Sequence, residues 1–242
     1  MTASQPALVL CELADARAHG AESHSPFCLK VHRALRAAGL AYTRRHGARP
    51  ASFAAYNPSL QVPVLLVDGA PVADSTAILR WIVATRPGAF AQPDARATSE
   101  AWLWEELADT AINGFLVAAR WADDANWPGV REAYFGGAPW PVRAVVAPAL
   151  RRGVVRALVG RDVWRSGPEA CWRRFDALLD DLEVRAPREG FWLGPALSVA
   201  DVALFGQLWS VRLDLTPRQR DALRSRPALD AWLRRVDAAT QG

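Results

Sequence analysis

Short apolar runs separated by polar turns occupy the first third of the chain and indicate strands. Residues 7–13 and 62–67 are apolar and partly β-branched, which predicts two buried strands. Residues 41–46 and 71–73 predict two more, and the Asp68-Gly69 pair predicts a tight antiparallel hairpin between the last two strands.

Two amphipathic helices complete this pattern. The first begins at Ser25-Pro26, a capping hydroxyl followed by a proline suited to the first helical position, and ends at Gly39. The second begins at Asp74-Ser75 and ends before Pro87. Because the first helix joins two consecutive strands, its crossover favours a parallel pair. The order βαβ, a connection and then ββα predicts an α/β domain.

Strand patterns stop after the polar loop of residues 90–98. Beyond it, apolar residues recur at helical spacing, Ser198 and Asp201 predict a capping box, and a last helix is expected over residues 227–239. The intervening segment 127–165 is too rich in Pro, Gly, Trp and Arg for its helices to be assigned. We expect an α/β domain over residues 1–88 and an all-α domain over residues 97–242.

Composition and charge narrow the possible functions. The 242 residues are 51% hydrophobic and 22% charged, which suits a well-packed globular protein. The formal net charge is +4, but the arginines are spread along the chain and Lys30 is the only lysine. Since no segment combines a basic stripe with interleaved aromatic residues, we expect no nucleic-acid partner.

The cysteines and the chain's beginning indicate the compartment. Cys11, Cys28 and Cys171 are odd in number and far apart, which fits neither a disulfide framework nor a metal site. The first residues do not read as a signal peptide, and no apolar run reaches membrane-spanning length. We therefore expect a soluble, cytoplasmic protein without a metal and without membrane insertion.

Four motifs in order resemble the glutathione S-transferase superfamily over nearly the whole chain. They are Ser25-Pro26-Phe27-Cys28, Asn57-Pro58 with Gln61-Val62-Pro63-Val64, Asp74-Ser75, and the SVAD box with the downstream RPALDAWLRRV segment. The resemblance implies an α/β thioredoxin-like N-terminal domain plus an all-α C-terminal domain. It also implies glutathione as co-substrate, a hydrophobic small molecule as its electrophilic partner, and a homodimer. The SPFC motif is similar, in addition, to the metaxin and failed-axon-connections branch, which includes proteins of doubtful transferase activity.

The resemblance assigns the glutathione-binding residues. In the family the Val62-Pro63 peptide is cis, which leaves the backbone of Val62 free to bind the cysteinyl part of glutathione, with Gln61 beside it. The helix start at Ser75 would hold the γ-glutamyl carboxylate, and Asp74 would pair with the α-amine. Plain helix capping is the alternative role of Asp74 and Ser75.

The resemblance also places two candidate catalytic residues on the first helix. Ser25 lies where related enzymes face the glutathione sulfur, and its hydroxyl would donate a hydrogen bond to the thiolate. The alternative is that Ser25 only caps the helix. Cys28 is the second position of a C-x-x-C motif whose first cysteine is replaced by Ser25. It would either form a mixed disulfide with glutathione or act as a small buried hydrophobe.

Two further features bear on the second substrate. The polar insert of residues 14–24 would form either a wall over the site or an ordinary surface loop; it holds Asp15, Arg17, His19, Glu22 and His24. Six tryptophans fall in the part of the helical domain that lines the electrophile pocket in the family, although core packing and dimer contact must account for most of them: Trp102, Trp104, Trp121, Trp127, Trp140 and Trp164. The predicted function is glutathione conjugation. The alternatives are a noncatalytic binding module and thiol transfer through Cys28.

Overall fold

The computed structural model describes residues 5–13, 20–160 and 163–241. Its first part contains a four-stranded sheet in the order β2-β1-β3-β4. Strand β1 runs parallel to β2 and antiparallel to β3, which forms the predicted hairpin with β4. The strands are β1 (Leu8–Leu13), β2 (Thr43–Gly47), β3 (Val64–Val67) and β4 (Ala70–Ala73).

Two helices cover one face of this sheet. They are α1 (Pro26–Ala37) and α2 (Ser75–Thr85), and their apolar side chains form one core with Leu10 and Leu65 of the strands. Phe53, in the short 3₁₀ helix Pro50–Phe53, packs against the opposite face with Cys11. This is the thioredoxin-like domain that the sequence predicts.

From Ala95 onward the described chain is helical. The helices are α3 (Ala95–Leu107), α4 (Asn113–Val117), α5 (Trp127–Phe135), α6 (Ala147–Gly160), α7 (Gly167–Arg185), α8 (Val199–Arg212), α9 (Pro217–Arg224) and α10 (Pro227–Thr240). The predicted capping box is confirmed at the start of α8, where Ser198 and Asp201 bond each other's backbone N–H. The segment that the pattern could not assign forms α5, a π-helical turn (Val142–Val146) and α6.

A single helical rod runs from α3 through α4, interrupted by two π-helical turns. The turns are Ala108–Ile112, which contains Asp109, and Ala118–Ala122, which contains Arg120. A π turn inserts an extra residue and rotates the helix face, and such turns occur frequently at functional sites.

The two domains share one core through α1 and α8. Gly206 of α8 lies so close to α1 that an added Cβ would come within 2.7 Å of the carbonyl oxygen of Pro26. Because Pro26 follows Ser25, this contact fixes the start of α1 against the helical domain.

In the part of the chain that the structure describes, no helix combines the length and the apolar character needed to cross a membrane.

Candidate active site

Two neighbouring cavities meet at the start of α1. The smaller one, of about 220 Å³, contains all five residues that the sequence assigns to glutathione: Gln61, Val62, Pro63, Asp74 and Ser75. Phe27, Asn57, Ser59 and Ala73 complete its wall. Residues from a loop, a strand end and a helix start therefore converge on one small polar recess.

The loop before β3 presents a free stretch of backbone to this recess. The Val62-Pro63 peptide bond is cis, as the resemblance implies. The buried side chain of Asn57 holds the loop, because its Nδ2 donates to the Gln61 carbonyl at 3.0 Å and its Oδ1 accepts from the Ser59 N–H at 3.1 Å. Within the described residues, no hydrogen bond uses the N–H or C=O of Val62. Both groups are available to an extended ligand.

Asp74 and Ser75 make different contacts at the start of α2. The Asp74 carboxylate caps the helix by accepting from the N–H groups of Thr76 at 2.8 Å and Ala77 at 3.2 Å. The Ser75 side chain lines the recess, and no bond to its hydroxyl is found in the described part of the chain. Ser75 is therefore the free donor at this helix start, while Asp74 contributes negative charge.

The larger cavity, of about 380 Å³, adjoins the first through Phe27 and Val62, which line both. Ser25 lies in its wall with apolar groups from both domains, among them Leu13, Leu116, Val117, Trp121 and Tyr134. Asn113 and Arg120 add polar atoms. An apolar chamber thus opens beside the polar recess, and Ser25 lines the chamber.

The Ser25 hydroxyl caps α1 and also lies within hydrogen-bond reach of the Cys28 thiol. Its Oγ accepts from the Cys28 N–H at 3.3 Å, which makes Ser25 the N-cap of α1. A hydroxyl can accept and donate at once, so its O–H proton can also be donated to a group in the cavity. Capping and catalysis, which the sequence leaves as alternatives, are compatible in this geometry.

Cys28 lies beside the side chains of Ser23 and Ser25 and lines neither cavity. The residue is fully buried, and this burial raises the pKa of its thiol to about 12, with the Glu12 carboxylate acting in the same direction. A thiol of that pKa is almost entirely protonated near neutrality and is a poor nucleophile. These observations favour the buried-hydrophobe interpretation of Cys28.

Glu12 anchors a buried polar cluster behind α1. Its carboxylate bonds the His32 Nε2 at 3.0 Å and the Arg44 Nε at 2.5 Å, and the His32 Nδ1 lies 2.6 Å from the Tyr42 hydroxyl. Burial alone would raise the pKa of Glu12, but the bonds and charges of His32 and Arg44 outweigh it and lower that pKa. His32 is therefore occupied in a structural network.

Arg120 is a functional candidate that the sequence did not reveal. It is only 3% exposed, and its Nη1 donates to the His24 carbonyl at 2.5 Å and to the Tyr134 hydroxyl at 3.0 Å. Nη2 donates to the Ser210 carbonyl at 3.0 Å. No carboxylate among the described residues lies within ion-pair distance of this guanidinium. A buried positive charge is consequently held against the backbone that immediately precedes Ser25.

Part of the predicted polar insert forms a wall of the larger cavity. His24 lines it and stacks on Tyr134, with ring centroids 4.8 Å apart. Glu22 is turned toward α1, where it pairs with Arg33 at 3.2 Å and Arg36 at 2.5 Å. Asp15, Arg17 and His19 lie outside the described residues.

Of the six tryptophans expected near the second substrate, only Trp121 lines the larger cavity. Trp104 packs on Trp192, and Trp164 packs on Trp172. Trp102 lies under Arg80, Trp127 lies beside Trp121, and Trp140 is 76% exposed. Core packing thus accounts for three of the six, namely Trp102, Trp104 and Trp164.

A buried charge cluster joins the two domains next to both cavities. The ammonium of Lys30 pairs with Glu105 at 2.8 Å and with Asp109 at closer range. Thr76 of α2 donates to Glu105 at 2.6 Å, and Gln207 donates to Asp109 at 3.3 Å. Burial raises the pKa of Asp109 to about 6, because Lys30 is shared with Glu105 and only partly offsets the desolvation.

Two family models match the chain in the order of its two domains. The model described as glutathione S-transferase, N-terminal domain, matches residues 24–85, and the corresponding C-terminal domain model matches residues 162–235. Together they cover more than half of the sequence. The chain belongs to the glutathione S-transferase superfamily.

Solved structures of low sequence identity share the fold. A glutathione S-transferase from Pseudomonas fluorescens is 21% identical, with 96% of this chain and 94% of that chain covered and a TM-score of 0.58. The β-etherase LigF from a Sphingobium strain is 20% identical, with 97% of each chain covered and a TM-score of 0.59. Glutathione transferase F7 from Populus trichocarpa is 16% identical, with 97% and 96% covered and a TM-score of 0.61. No curated protein sequence matched the chain.

Proposed function

We propose that the protein is a glutathione transferase that conjugates the glutathione thiolate to a hydrophobic electrophile. The observation that carries this proposal is the meeting of two cavities at Phe27 and Val62, one polar and lined by the five predicted glutathione-binding residues, the other apolar and lined by Ser25. A tripeptide in the recess would extend its sulfur toward the apolar chamber.

The lining of the recess offers partners for three parts of glutathione: the cysteinyl backbone, the γ-glutamyl carboxylate and the α-amine. The free N–H and C=O of Val62 bind the cysteinyl backbone in the manner of an added strand. The Ser75 hydroxyl and the positive end of α2 bind the γ-glutamyl carboxylate. Asp74 attracts the α-amine with the carboxylate that also caps α2. Gln61, exposed at the rim, contacts the glutathione backbone near Val62.

The sulfur chemistry depends on three positive or donating groups. The Ser25 hydroxyl donates to the thiolate, and the start of α1 contributes its helix dipole. The Arg120 guanidinium donates to the carbonyl of His24, the residue before Ser25, and so adds a positive charge nearby. Together they lower the pKa of the glutathione thiol, whose proton leaves to water. The thiolate then forms a carbon–sulfur bond with the electrophile, which either loses a leaving group or gains a proton at the adjacent atom.

The larger cavity sets the class of the second substrate. Its walls of Leu13, Leu116, Val117 and the Trp121 ring suit a flat or branched apolar body. The volume of about 380 Å³ limits that body to a small molecule. We therefore assign the electrophile to hydrophobic small molecules.

A two-fold homodimer in the cytoplasm is part of the proposal. Leu103 and Leu107 lie four residues apart on α3, 68% and 36% exposed, and offer an apolar patch that a second copy would cover. Light scattering on the purified protein tests the dimer directly.

Ser25→Ala tests the catalytic step, with Cys28→Ala as its matched control on the same helix. We expect Ser25→Ala to lower kcat/KM for conjugation by about tenfold to a hundredfold, since it removes a hydrogen bond to the reacting sulfur, while calorimetry shows nearly unchanged glutathione affinity. Cys28→Ala should leave kcat/KM within about twofold, since the thiol is buried away from both cavities.

Three results would redirect the proposal. A wild-type protein that binds no glutathione at millimolar concentration would end it. Glutathione binding without conjugation across a broad panel of electrophiles would favour a noncatalytic binding module. A glutathione adduct on Cys28 by mass spectrometry, together with activity lost in Cys28→Ala, would favour thiol transfer.

A further inference from the structure

Large apolar side chains are exposed together on the segment of residues 140–160. Trp140 is 76% exposed, Val145 63%, Val146 50%, Leu150 47% and Val159 44%. They make up most of the exposed large apolar side chains among the described residues of the helical domain. An exposed apolar cluster of this kind marks an interaction surface in most soluble proteins.

The same segment is exclusively basic. No acidic residue occurs between Glu132 and Asp162, whereas arginines stand at positions 143, 151, 152, 156 and 161. Arg151 is turned inward, where its Nε donates to the Trp121 carbonyl at 2.8 Å and its guanidinium lies over the Trp127 ring. Arg152 and Arg156 are exposed and have no ion pair within the described part of the chain. The outward side of α6 therefore carries two uncompensated positive charges.

The geometry of α6 separates a packed side from an outward side. Ala147 and Leu158 are its buried residues, and the helix packs mainly on the π-helical turn Ala118–Ala122. Val146 and Leu150 lie on one flank of the exposed half of this helical rod, and Arg152 and Arg156 lie on the other flank. We call the outward side of residues 140–160 the α6 face.

We propose that the α6 face docks the protein on the surface of an anionic lipid bilayer. Amphipathic helices that combine arginines with apolar residues and a tryptophan lie in the plane of such surfaces, with apolar side chains at the headgroup boundary and cations toward anionic lipids. This docking is peripheral: the α6 face contacts the headgroup region and nothing spans the bilayer. It goes beyond conjugation of a soluble electrophile and does not depend on it.

The positive charge of the α6 face favours an anionic bilayer over a second copy of the chain as the surface that it contacts. A two-fold contact through the α6 face would gather Arg152 and Arg156 of both copies in one interface to which residues 140–160 contribute no carboxylate, and such like charges repel. A bilayer with anionic headgroups supplies the opposite charge over the whole area. The proposed dimer uses the exposed leucines of α3, which belong to a different helix.

Vesicle flotation tests the proposal with the full-length protein. We expect binding to vesicles of phosphatidylcholine that contain about a third phosphatidylglycerol, weak binding to pure phosphatidylcholine, and release at high salt. Arg152→Gln combined with Arg156→Gln should weaken binding to the anionic vesicles by about tenfold. Val146→Ser combined with Leu150→Ser should weaken it several-fold through lost apolar contact.

The controls carry the same chemical changes elsewhere on the surface. Arg188→Gln combined with Arg224→Gln removes two exposed charges, and Val184→Ser removes a valine that is 89% exposed on α7. Both should bind the anionic vesicles as the wild type does. A circular dichroism spectrum and a urea-unfolding midpoint that are unchanged in all variants show that each one is folded.

Several outcomes would overturn the proposal. Wild-type protein that does not float with anionic vesicles, or α6-face variants that float as well as the controls, would contradict it. A change from dimer to monomer in the variants would assign the α6 face to a second copy. Binding to soluble poly-glutamate as tight as to the vesicles would assign it to an acidic protein.

Discussion

Arg120 holds a buried positive charge beside the backbone that precedes Ser25. The two residues belong to different domains, and the His24 carbonyl joins them through its hydrogen bond to Nη1. Because the guanidinium is buried and has no carboxylate partner in the described chain, its field is weakly screened. In the proposed mechanism Ser25 supplies a directional donor and Arg120 a nearby charge, so the two contributions can be measured separately.

Replacing Arg120 by Met should reduce the amount of glutathione thiolate in the complex. We expect the pKa of the bound thiol to rise by about one unit, which lowers the thiolate fraction near neutrality several-fold. Titration of the ultraviolet absorbance of the thiolate measures this directly, without an electrophile.

The Arg120→Lys variant keeps the charge and serves as the control. It should hold the thiol pKa closer to the wild-type value even though it loses part of the hydrogen-bond geometry. Equal thiol pKa values in the Met variant and the wild type would show that Arg120 only braces the loop before Ser25.

At the scale of secondary-structure elements, one residue at the start of α2 has both a capping role and a proposed ligand-binding role. Asp74 caps the helix, and we propose that it also pairs with the α-amine of glutathione. Asp74 has a φ of 81°, in the left-handed region, and caps α2 with its carboxylate. Asparagine tolerates this conformation and caps as well as aspartate, whereas alanine does neither. Capping and charge can therefore be separated by substitution.

Asp74→Asn should weaken glutathione binding while leaving the fold stable. We expect the Kd for glutathione to rise about threefold to tenfold, because the ligand amine loses its opposite charge, with the free energy of unfolding unchanged within about 0.5 kcal/mol. Calorimetry and urea unfolding measure the two quantities.

Asp74→Ala is the matched comparison, since it removes the cap as well as the charge. It should lower the free energy of unfolding by about 1–2 kcal/mol. Unchanged glutathione affinity in Asp74→Asn would restrict Asp74 to capping.

Some residues of the candidate site could be predicted from the sequence, and others could not. Val62-Pro63 and Asp74-Ser75 are recognisable because each acts through its own backbone: a peptide before proline and a helix start are local features. Arg120 is one arginine among many, and its role arises only when tertiary packing brings α8 and the loop before α1 to its side chain. Trp121 could not be separated from the other tryptophans for the same reason. The π-helical turns, which set the direction of Asp109 and Arg120, leave no clear mark in the pattern.

At the scale of the whole molecule, the domain interface contains a charge imbalance. Lys30 faces two carboxylates, Glu105 and Asp109, so the buried cluster carries one excess negative charge when both are ionised. Burial raises the pKa of Asp109 to about 6, well above its ordinary value of 3.8. The folded protein therefore holds a proton that the unfolded chain releases at lower pH.

The free energy of unfolding should fall between about pH 4 and pH 6 because of the ionisation of Asp109. Because the folded pKa is the higher one, its favourable contribution is complete below about pH 4 and is lost as the pH rises through about 6. In Asp109→Asn this dependence disappears, so the stability of the variant relative to the wild type should rise by about 2 kcal/mol between those limits. Urea unfolding across the pH series measures the difference.

Asp181→Asn, an exposed change on α7, is the control for the same series. Its stability relative to the wild type should stay constant with pH. A constant difference for Asp109→Asn as well would show that the carboxylate stays ionised across the range and that Lys30 fully compensates it.

The only lysine of the chain lies in this interface with no exposed surface. An acylating reagent that seeks primary amines therefore cannot reach Lys30 while α1 remains packed against α3 and α8. Its modification requires the domains to part or the chain to unfold, and cleavage after Lys30 by a lysine-specific protease has the same requirement. The rate at which Lys30 is labelled in native buffer, measured by mass spectrometry, therefore reports the rate at which the interface opens. Any ligand that holds the two domains together should slow this labelling.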